Sequence, residues 1–137
     1  MEFEFNIKPD VANLNGVVYP KDVLEKAFDE YSKKPQRLGA LKYGSGSDIP
    51  LSDIAFEVKS ISKIGDKYVG DIEILNVPAG EEIRKMLGDM SADEFRICTM
   101  MICDTDLVPK SMPSQNILRV TNASIEYVIL YPKKECA

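Results

Sequence analysis

Cys98, one of three cysteines, is a candidate nucleophile in this chain, and the sequence contains no histidine to assist it. Histidine is the usual general base and completes Ser-His and Cys-His pairs, so its absence removes the common hydrolytic arrangements. Arg96 falls on the same face of an alternating strand as Cys98, and a positive environment favours a thiolate. Cysteine is also among the residue types most often buried, so we expect Cys98 to be a small apolar residue of a central strand.

The candidate ligands for a metal ion or a phosphate group do not form a known pattern. Cys98 and Cys103 are five positions apart and therefore point to opposite faces of a regular strand. Asp104 and Asp106 lie close together but lack the glycine-containing ligand spacing of a calcium loop. The glycines between residues 39 and 46 are not followed by the Lys-Ser/Thr of a phosphate-binding loop. We therefore expect no metal, no cofactor and no small-molecule substrate.

The composition predicts one globular domain over residues 1–137. Hydrophobic residues make up 45% of the chain, which is enough for a packed core that does not depend on disulfides. The net charge of −5 argues against nucleic acid as a partner, because phosphate binding needs clustered Lys and Arg. No apolar run approaches the roughly 20 residues of a membrane span, so no membrane is expected either. The odd number of cysteines, three, favours a reducing compartment.

The most regular pattern in the sequence is that of a first helix, around which the other elements would be arranged. Asn15-Gly16 is typical of a tight turn. Pro20 suits a helix start because its φ is already helical and it has no N–H to satisfy. Apolar residues then recur at helical spacing until Pro35 ends the pattern. One face of this helix would carry Val23, Leu24, Ala27, Phe28 and Tyr31.

Alternating apolar residues predict strands through most of the remaining chain. Near Lys59 the alternation breaks, because two serines take the apolar face, and this predicts a bulge or an edge. Gly65-Asp66 predicts a hairpin turn. The predicted strands are residues 1–8, 38–43, 53–64, 67–75, 95–103, 117–120 and 123–131, with a loop at 104–116 and a second short helix that carries Ile83, Met86 and Leu87 and is capped by Gly88.

These elements predict an α+β domain with a mostly antiparallel sheet, curled into a small barrel, against which two helices pack. Residues 95–103 are apolar on both faces apart from Arg96, so we expect a central buried strand there. The core should include residues from the first helix and from the two strands with the longest apolar patterns, namely Phe28, Ile97, Ile125 and Ile129.

The order of these parts resembles that of the prohead (capsid maturation) proteases of tailed phages, which share the fold of the herpesvirus assembly protease. The opening of that family is similar to Asn15-Gly-Val-Val-Tyr-Pro20 followed by Val23-Leu-Glu-Lys-Ala27. Its Gly-Glu-Leu-x-His-type segment corresponds to Gly39-Ala-Leu-Lys-Tyr43, and its strand-end turn and short helix resemble Ile74-Leu-Asn-Val-Pro-Ala-Gly80. The resemblance covers residues 14–102 and implies a prohead-protease-like fold and a viral head context.

The residues at the catalytic positions of the family depart from its pattern. Tyr43 stands where the resemblance places a histidine, and Phe56 stands near a second one. Cys98 or Thr99 occupies the position of the nucleophilic serine. A tyrosine is neutral at pH 7 and a phenylalanine cannot orient a base. The resemblance and these departures together imply a catalytically degenerate relative that is not an enzyme.

The sequence thus predicts a non-enzymatic structural protein of the phage virion, acting as a capsid decoration protein, a cement protein or another head component. Its expected partner is the major capsid protein, with further copies of itself as a second candidate. It would reside in the capsid after synthesis in the host cytoplasm. Two other hypotheses remain open, namely an active cysteine-type prohead peptidase that uses Cys98 and a small phage-encoded protein-binding module.

Two segments are candidates for contact with such a partner. Phe3 and Phe5 belong to an amino-terminal strand with one apolar face and a free end. Unpaired strand edges and loops are where a partner gains backbone hydrogen bonds and ordering. The loop candidates, whose composition is typical of a flexible connection, are Gly44, Ser45, Gly46 and Ser47.

Overall fold

The computed structural model describes residues 1–13, 15–41, 51–89, 91–109 and 116–133. In these residues a curled sheet of seven strands carries two α-helices. The elements in chain order are β1 (Glu2–Glu4), β2 (Val17–Val18), α1 (Lys21–Ser32), β3 (Leu38–Ala40), β4 (Ile54–Ile64), β5 (Lys67–Ile74), α2 (Pro78–Asp89), β6 (Phe95–Pro109) and β7 (Asn116–Pro132).

The strands of the sheet follow the order β1-β5-β4-β3-β7-β2, and β6 pairs with β7 beside this path. The pairs are antiparallel except where β7 runs parallel to β2 and to β3. Phe5, directly after β1, forms a parallel bridge with Ile97 of β6, so the sheet curls until its outer strands meet. The predicted fold class, α+β with a mostly antiparallel sheet curled into a barrel, is confirmed.

The apolar face of α1 is the one that its sequence predicts, and it packs against β7 and β4. Phe28 stacks on Tyr68 of β5 with ring centroids 4.1 Å apart, and it meets Phe5 edge-on at 5.0 Å. Stacked and edge-on aromatic pairs of this kind add to the energy of burial, so α1 is held firmly against the sheet. The four residues predicted for the core are each at most 4% exposed: Phe28, Ile97, Ile125 and Ile129.

The hairpin of β4 and β5 is confirmed together with its irregularity. Gly65 has a φ of +63° in the turn, and the register shifts between Val58 and Ser60, so that Lys59 is the bulged residue. Arg37 holds this bulge by donating from Nε to the Val58 carbonyl at 2.9 Å and from Nη2 to the Lys59 carbonyl at 2.8 Å. Its Nη1 donates to two carbonyls at the end of α1, so one side chain ties the helix to the bulge.

The hairpin of β6 and β7 is longer than the sequence predicts. The prediction of a loop over residues 104–116 is wrong for residues 104–109 and 116, because β6 continues to Pro109 and β7 begins at Asn116, and the rest of that range lies outside the described residues. The predicted strands 117–120 and 123–131 are parts of this single strand β7, which absorbs two register shifts against β6. The second half of β6 is an edge strand, and edge strands tolerate acidic residues and proline that an interior strand would exclude. The sequence of residues 104–109 therefore resembles that of a loop.

The prediction that residues 95–103 form a central strand is also wrong. In the described sheet, β7 is the one ladder partner of β6, and the bridge at Ile97 is the contact on its other side. Cys98 is half-buried, and Ile102 is 59% exposed. Apolar residues on both faces identify a strand but do not tell a central strand from a partly covered edge.

The second helix, α2, begins at Pro78 and buries Ile83, but it runs through Gly88 to Asp89. Gly88 is therefore not the helix cap that the sequence predicts. Within α2 the glycine that packing requires is Gly80, because a Cβ there would overlap the Leu75 carbonyl oxygen. Each helix has 12 residues, and no helix in the described ranges is long and apolar enough to cross a membrane.

Candidate functional site

Phe56 stands near the position of a histidine in the family that the sequence resembles, and its ring lies in the core. It is 0% exposed, and its strand neighbours are Gly39 on β3 and Ile74 on β5. A Cβ at Gly39 would lie 2.6 Å from Cε1 of the ring and closer still to Cζ and Cε2. The ring therefore covers the glycine with no space between them. A buried hydrocarbon ring neither accepts nor donates a proton, so this position serves packing.

Cys98 and Thr99, the candidates for the nucleophile position, lie on opposite faces of β6. Thr99 pairs with Val128, and Val128 pairs with Gly39, which pairs with Phe56. Thr99 and Phe56 thus share a face of the sheet but have β7 and β3 between them, which separates their backbones by roughly 14 Å along the sheet. Cys98 is turned to the other face. The structure does not bring Cys98 and Phe56 together.

Cys98 borders a small apolar cluster on the face of the sheet opposite the main core. Arg96 is on the same side of β6, as predicted, and its Nη2 lies 3.3 Å from Oε2 of Glu4. Its Nη1 donates to the main-chain carbonyls of Asp93 and Phe95, both at 3.0 Å. The apolar cluster beside Cys98 suits the packing role that the sequence predicts for this side chain. The residues of the cluster are Ala40, Tyr127 and Ile129, with Cys98, Met100 and Tyr131 packed against them.

The environment of Cys103, further along β6, opposes ionisation of its thiol. Burial, and then the charge of Asp104, raise the pKa of the Cys103 thiol. Tyr19 lies close by, and burial, followed by the effect of Cys103, raises the pKa of its hydroxyl. Because the thiolate is the nucleophilic form, a raised pKa makes Cys103 a poor nucleophile at neutral pH.

Acidic side chains do not assemble into a metal site in the part of the chain that the structure describes. No three His, Cys, Asp or Glu residues there come close enough together to hold a metal ion. Asp106 lies 3.9 Å from Nη2 of Arg119 on the neighbouring strand, and both side chains are more than half exposed. This is a weak surface ion pair and not a ligand arrangement.

The amino-terminal candidates for contact with a partner have a different place from the one expected. Phe3 and Phe5 are each 2% exposed and belong to the main core, so their side chains form no surface. The expectation of a free strand end is also corrected, since β1 pairs with β5 and the terminal ammonium lies 2.9 Å from Asp71. The alternation of apolar and charged residues predicts that β1 is half-buried. It does not predict that the sheet curls and brings β6 against the end of this strand. Tyr43 and the loop candidates Gly44, Ser45, Gly46 and Ser47 lie outside the described residues.

A cleft that the sequence did not reveal lies beside the start of β6, where β1 passes between β5 and β6. Glu4 stands between two cations of this cleft, 3.9 Å from Nζ of Lys67 and 3.3 Å from Nη2 of Arg96. Lys8 and Lys133 also line it. These four cations lie far apart in the sequence and form no basic run, so only the topology brings them together.

One wall of the cleft is the segment between β1 and β2, and local hydrogen bonds define its course. Asp10 has a φ of 64°, and its main-chain N–H donates to the Tyr19 carbonyl at 2.9 Å. The Asp10 carboxylate accepts from the first N–H of α1, at Lys21, so it caps the helix from outside. Asn13 Oδ1 accepts from the N–H groups of Asn15 and Val17. These hydrogen bonds hold the turns of the wall in place.

Comparison with known proteins bears on the fold. The sequence matches no protein-family model and no curated protein. Among solved structures, the chain is similar to the bacteriophage T4 capsid assembly protease gp21, with a TM-score of 0.74 and 16% sequence identity. The match covers 94% of this chain and 79% of that chain. A likeness at this identity shows the fold and not the activity. The chain has a prohead-protease-like fold, as the sequence resemblance implied.

Proposed function

We propose that this chain is a non-enzymatic structural protein of the phage head, built on an inactive prohead-protease-like fold. It acts in the virion as a capsid decoration protein, a cement protein or another head component, after synthesis in the host cytoplasm. Its partner is the major capsid protein, with further copies of itself as a second candidate. The observation that carries the proposal is the burial of Phe56 against Gly39 in a chain without histidine, within a fold shared with a capsid assembly protease.

The candidate catalytic positions support the absence of peptidase chemistry. An imidazole in place of the Phe56 ring would be a polar group in a fully buried site, where it would need a hydrogen-bond partner. Cys98 borders an apolar cluster, and the chain offers no imidazole to take its proton. Thr99 shares a face with Phe56 but lies across two intervening strands.

The outer edge of β6 supports a role in assembly. Beyond the bridge at Ile97, this edge has no ladder partner among the described strands up to Pro109. Its exposed residues include Ile102, at 59%, beside the acidic Asp104. A strand of another protein could add to such an edge through main-chain hydrogen bonds, while the exposed apolar side chain contributes contact area. This is the mechanism by which we expect the chain to join a capsid junction.

Peptidase activity provides the first test. The purified chain, the Cys98→Ala variant and a Cys103→Ala control are incubated with unprocessed prohead proteins, and fragments are sought by mass spectrometry. We expect no fragments from any of the three. Cleavage that is lost in Cys98→Ala and kept in Cys103→Ala would establish the cysteine peptidase and overturn the proposal.

Association with the head provides the second test. Purified virions of the encoding phage are analysed by quantitative mass spectrometry for this polypeptide and for the major capsid protein. We expect the uncleaved polypeptide at a copy number in fixed ratio to that of the major capsid protein. A decoration or cement protein occupies equivalent positions of the capsid lattice, so its copy number follows the lattice. Absence from virions and from prohead intermediates would contradict a structural role, even if the cleavage test is negative.

A further inference from the structure

The cleft beside the start of β6 carries a positive charge that the rest of the chain does not share. The whole sequence has 22 acidic and 17 basic residues. Around the cleft this balance is reversed, since four cations line it and one carboxylate does: Lys8, Lys67, Arg96 and Lys133 against Glu4. A local field of opposite sign to the net charge attracts an anionic group to this place in particular.

Glu4 neutralises only part of this charge. It lies near both Lys67 and Arg96, and one carboxylate offsets a single positive charge. The Arg96 guanidinium is held by two main-chain carbonyls as well, so it is fixed in the wall of the cleft. Lys8 and Lys133 are exposed, and no ion pair joins either of them to a carboxylate of the described residues.

The uncharged lining of the cleft combines apolar residues with Asn6, Asn13 and Tyr19. Ile7, Val11 and Ala12 contribute to it, and Val11 is 60% exposed, so its side chain gains from being covered. The cleft has a volume of about 430 Å³, which falls within the range of ~300–1,000 Å³ that is usual for ligand sites. It can hold several side chains of a bound peptide but not a folded domain.

We propose that this cleft binds an extended segment of a partner protein in which acidic and apolar residues alternate. The carboxylates would lie against Lys8, Lys133 and the outward side of Lys67, and the apolar side chains against Ile7 and Val11. Charge complementarity selects the acidic partner, and the apolar side chains of Ile7 and Val11 favour a peptide over a nucleic-acid strand. The inference goes beyond the role in the head, because it names the chemistry of the bound segment and holds for any partner that carries it.

The probe is a short synthetic peptide of alternating glutamate and valine, with a matched peptide in which glutamine replaces glutamate. Binding to the full chain is measured by fluorescence anisotropy at low and at high salt. We expect the glutamate peptide to bind about tenfold more tightly than the glutamine peptide at low salt, a difference of about 1.4 kcal/mol. High salt should remove most of this difference because the lysines are exposed.

Variants locate the binding on the chain. Lys8→Glu with Lys133→Glu should weaken the glutamate peptide about tenfold, whereas Lys26→Glu on the exposed side of α1 should leave its affinity unchanged. All these side chains are exposed, so the variants should unfold at the same temperature as the parent chain. Equal affinity for both peptides, an equal loss in Lys26→Glu, or tighter binding of a single-stranded oligonucleotide would overturn the proposal. So would salt-sensitive self-association that blocks the cleft, which would identify a second copy as its occupant.

Discussion

Replacing Gly39 by alanine tests whether the Phe56 ring is locked in place by its neighbours. Gly39 does not have a positive φ, so alanine is allowed by the backbone. The added methyl would lie 2.6 Å from Cε1 of Phe56 and nearer to Cζ and Cε2, whereas carbon atoms normally stay ~3.5–4 Å apart. The ring must therefore move by about 1 Å or more, and at 0% exposure it has no solvent into which to move.

The size of the effect follows from overpacking. Extra methyl groups in filled cores usually cost about 1–3 kcal/mol, and the depth of this overlap places Gly39→Ala near the upper end, at about 3 kcal/mol. Phe56→Leu alone should cost about 1–2 kcal/mol, since the change is large-to-small but stays apolar. Leucine lacks the ring atoms that the methyl overlaps. In the Phe56→Leu background Gly39→Ala should therefore be close to neutral, which corresponds to a coupling energy of about 3 kcal/mol between the two positions.

Chemical unfolding of the parent chain, the two single variants and the double variant measures this coupling. Gly88→Ala is the matched control, because a Cβ there meets nothing within 4 Å and the residue lies in α2. It should stabilise the chain by about 0.5–1 kcal/mol through helix propensity. If Gly39→Ala is no more harmful than Gly88→Ala, or if the coupling is below about 0.5 kcal/mol, the ring is not packed on Gly39 and its assignment as a locked core position fails.

Substitutions at three other positions test the contacts that hold α1 and β7 to the core. Arg37→Ala should lower the free energy of unfolding by about 2–4 kcal/mol in urea titrations, because four carbonyls lose a charged donor, and Arg37→Lys should restore less than half. Burial raises the pKa of the Tyr31 hydroxyl, so the contribution of this residue to stability is complete below pH 10 and declines as the pH rises further. Tyr31→Phe should flatten that decline in thermal melts at pH values above about 10. Ile125→Ala should cost about 2–5 kcal/mol, and a midpoint equal to that of a surface variant would contradict the burial of β7.

The sequence predicts best where a pattern has a single physical cause. The helical spacing from Leu24 to Tyr31 has no other use than to bury one face, and α1 buries that face. The break in alternation at Lys59 could be recognised because two serines cannot replace apolar residues on a packed face, and the bulge lies there. In both places local pattern and tertiary packing require the same residues.

The errors arise where one pattern is compatible with two environments. Asp104 and Asp106 suit a loop and suit an exposed edge strand equally well, and the choice depends on whether β7 runs alongside. Gly88 suits a helix cap but is simply an exposed residue within α2. The requirement for Gly80 arises from the approach of α2 to the Leu75 carbonyl, and a distance between two elements leaves no periodic signal in the sequence.

The amino-terminal strand shows how a correction to the core bears on interaction. Phe3 and Phe5 were candidates for contact with a partner, and they are instead the residues that join β1 to the closing side of the sheet. Because alternate side chains of a strand point to opposite faces, burial of these two rings turns Glu4 outward between Lys67 and Arg96. The curling of the sheet thus buries the two candidate contact residues and forms the cationic cleft beside them. A partner that approaches this end of the molecule therefore meets charged side chains, whereas the sequence predicts an unpaired strand edge there.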